Sequence, residues 1–190
     1  MSYGVYHTDM IVLAATPRDE ANVVFTLLTR DLGIIRAKAQ SIRKITSKLR
    51  YGLQYLSQGT VDVIRAKDYW RIVGAEPSET LLPLDIHHKP LHNIIALVSR
   101  ILPHDEVIDG LYEVILAAAL MLSNNQSPEM QQGIEIASVA RILSLGGYWN
   151  ESLSTYLEKM HLEDSDIALV LQQKKQYLSA INSGLRHTHL

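Results

Sequence analysis

Asn22-Val23-Val24-Phe25-Thr26-Leu27-Leu28-Thr29-Arg30-Asp31-Leu32-Gly33-Ile34-Ile35-Arg36-Ala37-Lys38-Ala39 is the stretch of this 190-residue chain that decides its fold. An apolar, β-branched run ends at Thr29 and a second begins at Ile34. Between them Asp31-Leu32-Gly33 supplies a turn, with glycine where positive φ is expected, so the whole reads as a β-hairpin. In the returning strand Ile35, Ala37 and Ala39 alternate with Arg36, Lys38 and Gln40. A period of two puts the apolar set on one face and both cations on the other, which looks outward.

The neighbouring segments extend the pattern. Thr8 to Ala15 reads as a strand before the hairpin, and a polar, basic loop follows it from about Ser41 to Arg50. Leu53 to Arg65, with Val61, Val63 and Ile64, reads as a long fourth strand, and Tyr69 to Ala75 as a fifth. Five short strands without helical period predict a small antiparallel barrel such as the OB-fold, which commonly binds oligonucleotides across its strand 2 and 3 face and adjoining loops. From Pro77 onward the pattern changes, with Pro77, Pro83 and Pro90 punctuating a linker-like segment. Helical spacing then predicts helices at about 90–102, 106–122, 130–145, 151–160 and 164–181, with Gly146-Gly147 closing the third. The expected fold class is α+β, an OB-fold domain over 1–78 followed by an all-α helical domain over 79–190.

Charge divides along the same line. Residues 1–75 hold 11 Lys+Arg and 6 Asp+Glu, a net of +5, while residues 76–190 hold 7 and 14, a net of −7. The excess concentrates between Arg30 and Arg50, where Arg30, Arg36, Lys38, Arg43, Lys44, Lys48 and Arg50 stand against Asp31 alone. Such a block repels itself and persists either as a solvated turn or because a polyanion neutralises it; its place beside the hairpin favours a phosphate-binding surface.

Other classes find little support. With no cysteine the chain has no disulfide, thiolate nucleophile or Cys-ligated zinc. Met1 to Met10 shows no apolar signal-peptide core, and the longest apolar run, Val114 to Leu122, is too short to span a bilayer, so a soluble cytoplasmic protein without membrane partners is expected. No Walker loop, nucleophile elbow or His-Glu-x-x-His motif is present, and a non-enzyme without cofactor is expected. Asp105-Glu106 and Glu163-Asp164 fall at predicted helix starts, where carboxylates suit the helix dipole. His88 and His92 are four apart, the spacing that can share a zinc on a helix, but Pro90 lies between them, and with His87 they read as linker rather than metal site.

The order Gly33-Ile34-Ile35-Arg36-Ala37-Lys38-Ala39, then Arg43, Lys48-Leu49 and Leu53-Gln54, resembles the N-terminal OB-fold signature of the RecO family of DNA repair and recombination mediators. Thr29-Arg30 before the glycine turn, and Arg100-Ile101-Leu102-Pro103 and Leu145-Gly146-Gly147-Tyr148 further on, resemble family landmarks as well. The chain departs from the pattern at Gln40-Ser41, where Lys-Gly is common, and at Tyr55, where proline is common. It also lacks the cysteines of the zinc module that many members carry.

The resemblance implies binding of single- and double-stranded DNA, annealing of complementary strands, and contacts with the C-terminal tail of the single-strand-binding protein SSB and with RecR during recombinase loading. Physically, Lys and Arg release condensed counterions on meeting phosphate, so binding is salt-dependent and nearly blind to sequence. The expected phosphate contacts are Arg30, Arg36, Lys38, Arg43, Lys44, Lys48 and Arg50, with Tyr51 or Tyr55 as stacking platforms. Arg141, on a helix with Ile134, Val139, Ile142 and Leu145, is the candidate cation for an acidic, apolar SSB tail. Two alternatives stay open: a protein interaction adaptor built on an OB-like barrel, and an RNA-binding OB protein.

Overall fold

The computed structural model describes residues 4–42, 49–80, 89–124, 127–149, 157–159 and 162–186. Five strands, β1 (Val5–Pro17), β2 (Val23–Thr29), β3 (Gly33–Ala39), β4 (Ser57–Ala66) and β5 (Tyr69–Thr80), close into a barrel in the order β1-β2-β3-β5-β4. Every pairing is antiparallel except β3 with β5, where Ala37, Lys38 and Ala39 run parallel to Trp70, Arg71 and Ile72. The α+β class holds: a small β-barrel comes first and helices follow.

The alternation read from the sequence sets the barrel's inside and outside. Met10, Val12, Phe25, Leu27, Ile35, Ala37, Ala39, Val61, Val63 and Ile72 form one buried cluster. Burial of these side chains is the main favourable term, each large aliphatic contributing on the order of 2 kcal/mol. Gly33 opens β3 at φ +68°, and a Cβ there would lie 1.8 Å from the backbone oxygen of Glu106. Both the turn and the close approach of residues 103–107 therefore require glycine.

Two strand expectations change. Leu53 to Arg65 is not one strand: helix α1 (Leu49–Gly52) comes first, Leu56 takes φ +59°, and β4 begins only at Ser57. Leu53 and Leu56 owe their apolar character to burial at the barrel end, where the Ser57 hydroxyl donates to the carbonyls of Gly52 and Gln54 and the Leu56 N–H donates to Val12. In β5, Pro77 does not end the strand. It lies opposite Gly59 beside a register shift, beyond the short stretch that pairs with β3, so its missing N–H falls where the ladder is already irregular.

Contacts divide the chain into two compact units, one comprising 1–81 with 103–107 and the other 82–102 with 108–190. The second unit contains α2 (Lys89–Ile101), α3 (Leu111–Asn124), α4 (Pro128–Leu145), α5 (Asp164–Gln172) and α6 (Lys174–Arg186). Helix α4 touches all four others and buries residues on most of its circumference, among them Ile134, Ala137, Ala140 and Leu143. It ends in a Schellman motif: Gly147 takes φ +75°, its N–H donates to Ser144 O, and the Tyr148 N–H donates to Leu143 O.

The helix expected from 106 begins instead at Leu111. Asp105, at φ +60°, donates its N–H to Ile34 O, and His104 bridges Ile34, so Pro103–Val107 is an irregular segment bonded to the start of β3 and its acids are not helix caps. The other acidic pair does cap, since Glu163 forms a capping box with Asp166 at the start of α5. The helix expected over 164–181 is two helices, because Gln173 ends α5 and its carbonyl accepts the first bonds of α6 from Gln176 and Tyr177. The helix expected at 151–160 lies largely outside the described residues. Among the described residues no helix is long and apolar enough to cross a membrane.

Candidate nucleic-acid interface

Strand β3 supplies the centre of the site. Because Ile35, Ala37 and Ala39 fill the barrel, Arg36 and Lys38 face outward, as their alternation requires. Across the ladders Thr26 of β2 stands opposite Arg36, Val24 opposite Lys38, and Arg71 of β5 is the register partner of Lys38. Two cations at one register level on adjacent strands repel each other unless an anion lies over them. Among the described residues Arg36, Lys38 and Arg71 have no ion pair, and Arg71 Nε is buried without a hydrogen-bond partner.

Two turns complete the rim. The connection from β1 to β2 is wound around Asp19, whose carboxylate accepts from the Asn22 side chain and from the N–H groups of Ala21 and Asn22. These bonds, the Asn22 side chain first, hold the Asp19 carboxyl below the usual carboxylate range. The turn presents Arg18, and Asn22 is anchored in turn by the Ser41 N–H donating to its Oδ1.

On the other side, the β4–β5 hairpin carries Arg65 at the end of β4, Asp68 in the turn, and Tyr69 and Trp70 at the start of β5. Trp70 is nearly buried, in edge contact with the Tyr6 ring at 5.4 Å, and the Arg65 guanidinium lies 4.8 Å from its ring centroid. Trp70 Nε1 donates to Asp105 Oδ1 at 2.6 Å, and Arg65 Nη1 meets the same oxygen at 3.1 Å. Between the rims is an open cavity of about 550 Å³, lined by Arg18, Val24, Arg36, Lys38, Arg65, Asp68, Tyr69, Trp70, His104 and Asp105. Its four Arg and Lys side chains exceed its two Asp, so it favours an anion.

Of the expected site residues, Arg36 and Lys38 come together here. Arg30 instead bonds Asp9 through its Nε at 2.9 Å and does not line the cavity. Arg43, Lys44 and Lys48 lie outside the described residues, as do His87 and His88, while Arg50 belongs to α1, whose Tyr51 is largely exposed. Tyr51 and Tyr55 do not line the cavity. Arg141 is half-buried on α4, and that desolvation lowers its pKa.

Arg18, Arg65, Arg71, Tyr69, Trp70 and His104 were not singled out from the sequence. The run Arg65-Ala66-Lys67-Asp68-Tyr69-Trp70 carried a readable signal, cations interleaved with aromatics at a hairpin tip, whereas His104 carried none.

A closed five-stranded barrel with a basic groove along its second and third strands, followed by helices, defines an OB-like domain joined to a helical one. Residues 1–80 match the family described as Recombination protein O N terminal, which bears out over that span the RecO resemblance read from the sequence. The chain is similar to DNA repair protein RecO of Dehalococcoides mccartyi strain BAV1, with 29% identity over 130 residues covering 66% of this chain and 51% of the relative. Against DNA repair protein RecO of Heliobacterium modesticaldum, identity is 30% over 122 residues, covering 63% and 44%. Against that of Thermodesulfovibrio yellowstonii it is 27% over 128 residues, covering 65% and 51%. The chain spans about half the length of the curated relatives it matches.

Proposed function

We propose that this protein serves DNA repair and recombination by holding DNA, phosphates inward, against the outer face of β2, β3 and β5. The observation that carries this reading is the row Arg36, Lys38 and Arg71, three cations on one face without an ion pair among the described residues. Such a surface neutralises phosphate without reading base edges, and so lets two strands approach while their bases remain free to pair. Strand annealing follows from that property. The RecO resemblance adds contacts with RecR and with the SSB tail, for which Arg141 is the candidate cation.

The test is fluorescence anisotropy of labelled oligo-dT across a salt series, with the Arg18→Ala/Arg36→Ala/Lys38→Ala variant alongside. Binding should weaken steeply with salt, and the variant should reduce the log–log slope by about 2, at roughly 0.7 per lost contact to a single strand. No binding at low salt would overturn the proposal. Equal or stronger competition by RNA of the same length would favour the RNA-binding alternative.

A further inference from the structure

We infer that the cavity beside Arg36 and Lys38 is a subsite for one unpaired base with its phosphate, which gives this surface a preference for single strand over duplex. The inference rests on the DNA-binding reading and adds to it the form of the ligand.

The cavity's lining is divided by chemistry. Arg18, Arg36 and Lys38 stand where a phosphate is neutralised, while Tyr69, 45% exposed, offers an aromatic surface to solvent. Trp70 next to it cannot serve as the platform, because it is only 8% exposed, the Arg65 guanidinium lies over its ring and its Nε1 is committed to Asp105. Tyr69 can serve, since every base has a π-face and stacking tolerates any sequence. The carboxylates of Asp68 and Asp105 also line the cavity. Asp105 is committed to Trp70 and Arg65, but the Asp68 carboxylate, which repels phosphate, accepts hydrogen bonds from the N–H groups of bases, an acceptor that a surface meant only for backbone would lack. A volume of about 550 Å³ is within the range of small-ligand sites, whereas a duplex could fill it only by extruding a base at the cost of unstacking.

The experiment compares wild type with Tyr69→Ala and Tyr69→Phe, measuring affinity for a dT oligonucleotide and for duplex of equal length, with thermal melting to verify folding. Tyr69→Ala should weaken single-strand binding roughly 5- to 150-fold, leave duplex affinity within about twofold and leave the salt slope unchanged, while Tyr69→Phe restores the single-strand affinity. A 2-aminopurine base in the oligonucleotide should change its fluorescence on binding wild type and Tyr69→Phe but not Tyr69→Ala. Equal losses for both DNA forms, or no loss for either, would overturn the subsite while leaving the DNA-binding reading intact. Failure of the wild type to bind either form would overturn both.

Discussion

The indole Nε1 of Trp70 and the carboxylate of Asp105 are joined by a 2.6 Å hydrogen bond, and the same carboxylate oxygen engages Arg65 at 3.1 Å. Asp105 thus fixes an aromatic side chain at the edge of a basic cavity and offsets one of its cations. The second effect opposes DNA binding. Asp105→Asn keeps an oxygen acceptor for the indole, and asparagine tolerates the φ of +60° found there. It removes the charge that Arg65 now meets. The variant should bind single-stranded DNA more tightly than wild type, with a salt slope steeper by about 0.7, the increment of one added phosphate contact. Weaker binding would mean that the carboxylate acts on the ligand rather than on Arg65.

Gly33→Ala should be among the more damaging single substitutions in the barrel. The residue sits at φ +68°, and its new Cβ would fall 1.8 Å from the Glu106 carbonyl oxygen, so the backbone of 103–107 would have to move away from β3. Left-handed strain and displacement together should cost about 2–4 kcal/mol, read as a lowered midpoint in urea unfolding. If stability fell by no more than a few tenths of a kcal/mol, the close packing of this segment on the barrel would be wrong.

Acid lability should trace in part to the helical unit. Asp166 is buried, accepts from Lys159 Nζ at 2.8 Å and from the Glu163 N–H at 2.9 Å, and these bonds, the lysine first, hold its pKa below the usual value. A carboxyl depressed in the folded state contributes stability that is fully present above the unfolded value, about 3.9, and is lost as pH falls through the folded value. Asp166→Asn should therefore lower the melting temperature at pH 7, with the gap to wild type narrowing only below about pH 4. A gap that stayed constant across that range would show that the loss comes from packing or capping geometry instead.

What could be read from the sequence was local. The hairpin 22–39 was legible because Ile35, Ala37 and Ala39 alternate with Arg36 and Lys38 inside seven residues, and the outward cations followed from the same parity. The resemblance around Gly33 and Arg36 agrees with the family match over residues 1–80. The rest of the site depends on closure of the barrel. Arg71 reaches the level of Lys38 only because β3 and β5 pair in parallel, and His104 joins the rim because the irregular segment after α2 bridges back to Ile34. Neither event leaves a periodic trace. Apolar spacing also misled where burial had another cause, as at Leu53 and Leu56, which seal the end of the barrel rather than extend a strand.

Charge clustering alone likewise treats Arg30 and Arg36 as equals, and the two should behave differently. Arg30 is held by Asp9 through a 2.9 Å bond away from the cavity, so recruiting it to phosphate means breaking that pair. Arg36 is exposed on β3 at the centre of the cationic row and lines the cavity. Arg36→Ala should lower affinity for single-stranded DNA and reduce the salt slope by about 0.7, whereas Arg30→Ala should change affinity less than about twofold and leave the slope unchanged. Measured side by side by anisotropy, the pair separates a defined phosphate track from a diffuse basic patch, because a diffuse patch would lose the same increment of slope with either residue.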